Sequence, residues 1–166
     1  MIGLDLDGTV LNYSNHVSDL RINPALVALL PANSQPVAII SNQGGAVFSR
    51  SDPAKYPSPA RITERLGHAV EFLAAAGYPV AAIHISVYHP KAQHSDIINT
   101  AIMLRKILSS RLPRMQAHVY IGTSSRKPGT FMLRAAGATA YYGDSPEDRQ
   151  AADAAGIPFV YVERFE

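Results

Sequence analysis

The chain has 166 residues, 47% of them hydrophobic and 17% charged, with a formal net charge of +2 and no cysteine. Those figures fit one soluble globular domain, residues 1–166, and exclude disulfides, thiolate nucleophiles and cysteine-ligated zinc or iron–sulfur centres. A sequence pI near 9.0 and a mean hydropathy of +0.01 describe a mild basic excess, suited to an anionic substrate but far from a nucleic-acid-binding tail.

A first strand is predicted over Ile2 to Leu6, interrupted by Asp5 and followed by Asp7-Gly8-Thr9. Asp-Gly between apolar runs is a strong turn signal. Asn23-Pro24 then starts a helix through "ALVALL", with Asn as N-cap and Pro at its first position. "PVAII" (Val37 to Ile40) is a second strand, ending in "SNQGG", residues 41 to 45. The Pro- and Ser-rich stretch "AVFSRSDPAKYPSP" reads as a surface loop and holds Arg50, Lys55 and Tyr56. Ser58-Pro59 opens a helix with Ile62, Leu66, Val70 and Leu73 on one face, stopping at Gly77. Val80 to Val87 is a third strand. Ser95-Asp96 opens a helix with Ile98, Ala101, Ile102 and Leu108 inward and Arg105, Lys106 and Arg111 outward. "RKPGT", with Lys127, leads to a helix over Thr130 to Ala136. Thr139 to Tyr142 is a fourth strand ending in "GDSPED", whose Ser145-Pro146-Glu147-Asp148 opens the last helix, and Phe159 to Val162 is the fifth strand.

Strands alternating with helices predict an α/β fold with a parallel sheet and right-handed crossovers, and in such sheets ligands bind at the carboxyl ends of the strands. There stand Asp5, Asp7, Thr9, Ser41, Lys127, Asp144 and Asp148. Carboxylates gathered at strand ends repel one another unless a cation sits among them, and hard oxygen ligands suit Mg²⁺. Ser41 offers a hydroxyl, the Asn42-Gln43-Gly44-Gly45 turn offers backbone N–H groups and Lys127 a fixed charge, which together describe a phosphoryl cradle.

"DLDGT", Ser41, Lys127 and "GDSPED" resemble the four ordered motifs of the haloacid dehalogenase-like hydrolase superfamily, over essentially the whole chain. "SNQGG", "RKPGTFMLRAAG" and "GDSPEDRQAADAAGIP" are most similar to the branch of histidinol-phosphate phosphatases, heptose-bisphosphate phosphatases and polynucleotide kinase 3'-phosphatase domains. The resemblance implies a three-layer Rossmann-like fold with helices on both faces and no large cap domain. It also implies a Mg²⁺-dependent phosphomonoesterase. Asp5 would be the nucleophile that forms an aspartyl-phosphate, and Asp7 the general acid and base. Phosphate would be bound by Thr9, Ser41, Asn42 and Lys127. The metal would be held by Asp5, Asp7 through its backbone carbonyl, and Asp144, with Asp148 beside them. Arg50 and Lys55 are candidates for a substrate loop.

The expected substrate is a small phosphorylated metabolite or a nucleic-acid 3'-phosphate. The Cys-rich zinc loop common in the sugar and histidinol enzymes has no counterpart near "VYHPKAQHSD", and the helix after it, about residues 96–111, has none in the branch. His84, His89 and His94 recur every five residues, a spacing that a strand would split between its faces, which disfavours zinc. Arg105, Lys106, Arg111 and Arg114 form a solvated helix face or, on a polynucleotide enzyme, a phosphate track. Two other readings stand beside the phosphatase: a receiver-like phospho-acceptor domain, and a catalytically idle scaffold of the same fold. Charge by position 5 and the lack of a long apolar run predict a cytoplasmic protein with no membrane partner. The oligomeric state, and whether the chain is a free enzyme or one domain of a larger protein, stay open.

Overall fold

A computed structural model describes residues 1–12 and 19–164. The apolar runs form six parallel strands: β1 (Ile2–Leu4), β2 (Val37–Asn42), β3 (Val80–Ser86), β4 (Gln116–Tyr120), β5 (Ala140–Gly143) and β6 (Phe159–Tyr161). Their order across the sheet is β4-β3-β2-β1-β5-β6. Helices α1 (Pro24–Leu29), α2 (Pro59–Ala75), α3 (His94–Arg111), α4 (Phe131–Ala135) and α5 (Pro146–Ala155) supply the crossovers and cover the sheet. Among the described residues no helix is long and apolar enough to cross a membrane.

Alternation along each strand builds three layers. Ile39, Ile83 and Ile85 meet Leu66 and Leu73 of α2 and Leu104 and Leu108 of α3 on one side. Ala38, Ile40 and Tyr141 meet Met132 and Leu133 of α4 and Ala151 and Ala152 of α5 on the other. Each fully buried Leu or Ile is worth about 1.5–3 kcal/mol of transfer free energy, which is why these runs read as nearly continuous apolar sequence.

Three sequence expectations change. β4 was not expected as a strand, because "QAHVY" carries Gln116 and His118 at alternate, exposed positions of an edge strand that is covered on one face only. β1 stops at Leu4, so Asp5 and Leu6 belong to the loop beyond it. The buried stripe of α3 is Ile97, Ala101, Leu104 and Leu108, whereas Ile102 is 58% exposed. Ile98 and Ile102 lie one position, roughly 100°, around the helix from that stripe, and apolar character alone does not choose between neighbouring positions.

The face of β3 and β4 opposite α2 and α3 carries a ladder of rings. Buried His84 stacks on His118 with centroids 4.7 Å apart, and its Nδ1 lies 2.7 Å from the Tyr120 hydroxyl. Burial, reinforced by His118, holds His84 down to about 4 from its ordinary 6.5. The unfolded chain therefore takes up a proton that the folded one refuses, and stability falls as the pH drops from 6.5 toward 4. The melting temperature should follow that slope, and His84→Gln should flatten it. An unchanged slope in the variant would remove His84 as its cause.

Candidate functional site

β1 lies at the centre of the sheet, with β2 on one side and β5 on the other. The direction of strand addition reverses between β1 and β5, which opens a crevice at their carboxyl ends. Asp5 directly follows β1, and Asp144 directly follows β5. Beyond Asp5 the chain turns sharply: the Val10 and Leu11 N–H groups both donate to Leu6 O, at 3.1 and 3.0 Å. Gly8 takes φ +82°, and a Cβ there would sit 2.2 Å from Asp144 Oδ2. Only glycine meets both demands. Asn23, the N-cap of α1, also donates to Gly8 O at 3.1 Å and so ties this turn to the core.

Lys127 is the centre of the site. Only 2% exposed, it donates through Nζ to Asp5 Oδ1 at 2.9 Å, Asp148 Oδ1 at 2.6 Å, Tyr141 Oη at 2.6 Å and Ile40 O at 3.2 Å. Its backbone is clamped by Asn42, whose Oδ1 accepts from Lys127 N at 2.9 Å and whose Nδ2 donates to Lys127 O at 3.0 Å. Asn42 thus positions the lysine. Asp148 serves two roles at once: Oδ2 closes a capping box with Ser145 and accepts from Asp144 N at 3.2 Å, while Oδ1 takes the ammonium. Burial works to neutralise both partners, yet Lys127 stays above its ordinary value because Asp5 and Asp148 face it. Asp148 likewise stays below the usual carboxylate range, held by Lys127 and the Ser145 donors against its burial.

Asp7 belongs to a second network. Its Oδ1 accepts from Arg65 Nη2 of α2 at 2.6 Å, and its Oδ2 from Gln43 Nε2 at 2.8 Å. Gln43 Nε2 also donates to Ser41 Oγ at 2.8 Å. The 3-10 helix Gly44–Phe48 begins directly after Gln43, and the first N–H groups of such a helix have no partner within it.

No protein-family model and no curated protein matches this chain. The site's meaning rests on its own chemistry. One oxygen each of buried Asp5, Asp144 and Asp148 lies within 4.8 Å of the others, a set that could hold a metal ion. Asp5 is pushed well above the carboxylate range, by burial first and by Asp148, Asp144 and Asp7 as well, and Lys127 only partly offsets this. Three carboxylates this close together fit a hard divalent cation beside the lysine. Arg164, from the segment after β6, pairs with Asp144 Oδ2, and the Thr9 hydroxyl reaches Asp144 Oδ1 at 3.5 Å. Thr9 is fully buried and contacts this carboxylate. Asp148 is filled by Lys127, Tyr141 and Ser145.

Arg50 is exposed and lines a groove of about 460 Å³ with Asp96 and Lys106 of α3, and Lys55 lies over the Tyr56 ring at 5.2 Å. His89 packs edge-on against Phe48, exposed His94 begins α3, and His84 belongs to the ring ladder, so the three histidines do not converge. Arg105 folds back, donating through Nη2 to Val119 O, which breaks the basic stripe. Sequence reading missed Arg65, Tyr141 and Arg164 as site residues, and placed Gln43 there only through its backbone. A signal existed for Arg65, a charge three positions after Ile62 and next to Leu66, inside the buried stripe of α2.

Proposed function

We propose that the chain is a Mg²⁺-dependent phosphomonoesterase of the haloacid dehalogenase type, acting through an aspartyl-phosphate on Asp5. The observation that carries this reading is the Lys127 ammonium bonded to both Asp5 and Asp148 beside Asp144, at the crevice between β1 and β5. A buried carboxylate aimed by a fixed cation, a second carboxyl group two residues further on and a hydroxyl beside it are the parts of a phosphoryl-transfer site. Asp5 and Asp144 would hold Mg²⁺, which when bound neutralises phosphate charge and keeps Asp5 ionised.

In this mechanism Lys127 fixes Asp5 Oδ1 and so orients the carboxylate toward phosphorus. An Asp5 oxygen bonds to phosphorus as the ester P–O bond breaks, and the leaving oxygen takes the proton of Asp7. Asp7, now a carboxylate, takes a proton from water as that water's oxygen attacks phosphorus. The Asp5–phosphorus bond breaks, and inorganic phosphate departs. Ser41 holds a phosphate oxygen: its acceptor side is engaged by Gln43, so its own proton points away from Gln43. The substrate is a small phosphorylated metabolite or a nucleic-acid 3'-phosphate.

The test is phosphate release by the full chain from a 3'-phosphorylated oligonucleotide, sugar phosphates and histidinol phosphate, with Mg²⁺ and after chelation. Release that is lost with chelation supports the reading. Phosphoenzyme that accumulates without turnover would favour the phospho-acceptor alternative, and neither release nor phosphoenzyme would favour the idle scaffold.

A further inference from the structure

Asp7 is the residue on which both proton transfers of the proposed reaction depend, and among the described residues nothing on its own loop holds its carboxyl group. The two groups that do come from elsewhere in the fold. Arg65 is 6% exposed, in the second turn of α2, and it donates Nη2 to Asp7 Oδ1 while its Nη1 donates to Asp19 O. Gln43, also 6% exposed, spends one Nε2 proton on Asp7 Oδ2 and the other on Ser41 Oγ. A guanidinium anchored at its second nitrogen is a rigid fork, and its partner carboxyl group inherits that rigidity. A protonated Asp7 Oδ2 still accepts from Gln43 through its remaining lone pair, so the same hold serves the acid and the base form.

We propose that Arg65 is the positioning residue of the general acid/base: from α2 it fixes the plane of the Asp7 carboxyl group, with Gln43 linking that plane to the phosphate-binding Ser41. This inference rests on the phosphatase reading above. Arg65 touches neither phosphate nor nucleophile in this scheme and acts through Asp7 alone. It also gives α2 a role in catalysis that its buried apolar stripe does not reveal. The close packing of Arg65 against the loop after β1 ties the helix to the turn that carries the reacting groups.

The consequence depends on the leaving group. An aryl phosphate expels a weakly basic oxygen and needs little help from an acid, whereas an alkyl phosphate needs the proton in the transition state. Initial rates of the full chain with Mg²⁺ are compared on p-nitrophenyl phosphate and glycerol phosphate for wild type, Arg65→Met, Arg65→Lys, Asp7→Asn and Asp7→Asn/Arg65→Met. Arg65→Met should lose about 100-fold in kcat/KM on the alkyl ester and only about threefold on the aryl ester, because kcat/KM reports phosphoryl transfer to Asp5 and not the later attack by water, which needs Asp7 as base for either ester. Arg65→Lys should recover part of the alkyl activity, and the double variant should be no slower than Asp7→Asn alone, since Arg65 works through Asp7.

Equal losses in kcat/KM on both esters, or a double variant much slower than Asp7→Asn, would overturn the inference, because a merely structural arginine lowers both values alike. Should Arg65→Met fail to fold, Arg65→Lys carries the same test: an alkyl-selective loss in kcat/KM supports the positioning scheme and an even loss refutes it. The parent reading fails separately, by wild type releasing no more phosphate than Asp5→Asn from either ester.

Discussion

Lys127→Met is expected to lose about 3–5 kcal/mol of stability and all phosphate release, the usual cost when one partner of a buried charge pair is removed. Methionine keeps most of the volume but not the charge. It leaves Asp148 Oδ1 and Asp5 Oδ1 facing each other across a pocket that is almost closed to water, and Tyr141 Oη without its donor. Urea unfolding gives the stability change through the shift in midpoint at constant slope. Lys127→Met/Asp148→Asn should regain part of the loss, because it removes the anion the lysine no longer neutralises. A single variant within 1 kcal/mol of wild type would show that the carboxylates do not depend on this ammonium.

Asp5→Asn is the complementary case, with opposite effects on activity and on metal-free stability. On the proposed mechanism Asp5 is the nucleophile, and its removal should reduce turnover by roughly 10⁴-fold or more. Stability moves the other way. Burial first, then the neighbouring carboxylates, raises Asp5 well above its ordinary 3.8, so the fold favours the protonated form. The stability Asp5 contributes is full below the ordinary carboxylate range and is lost as pH rises through its raised value. Asparagine cannot ionise and escapes that loss, while Lys127 keeps Asp148, Tyr141 and Ile40 O as partners. Without metal, Asp5→Asn should melt at or above the wild-type temperature, with the gap widening as pH rises. Added Mg²⁺ should raise the wild-type midpoint and leave the variant's nearly unchanged. A variant that melts lower at every pH, or responds to Mg²⁺ as wild type does, would contradict this account of the cluster.

Much of the fold was legible because its signals are local. Asn23, Ser58 and Ser145 cap their helices where Asn-Pro and Ser-Pro predict, and Gly156 ends α5 with φ +72°. The Asp7-Gly8 turn and five of the six strands follow from turn chemistry and apolar runs of adjacent residues. β4 escaped because an edge strand covered on one face needs only alternate apolar residues. The face of α3 was misassigned because two neighbouring phases of a helix carry equally apolar side chains.

The sequence by itself determined the alternation of strand and helix, and through it that Asp5, Ser41 and Asp144 would stand at the carboxyl ends of parallel strands. Those are properties of contiguous residues and of the handedness of crossovers. Only the tertiary structure decided which group each polar atom faces: that Lys127 joins Asp5 to Asp148, that Asn42 holds the lysine's backbone, and that Arg65 and Gln43 take the two oxygens of Asp7. The physical reason is reach. Lys127 is 122 positions from Asp5, and Arg65 is 58 from Asp7. Whether such side chains meet is settled by helix phase and packing depth of a few ångströms, which no local pattern of residues records.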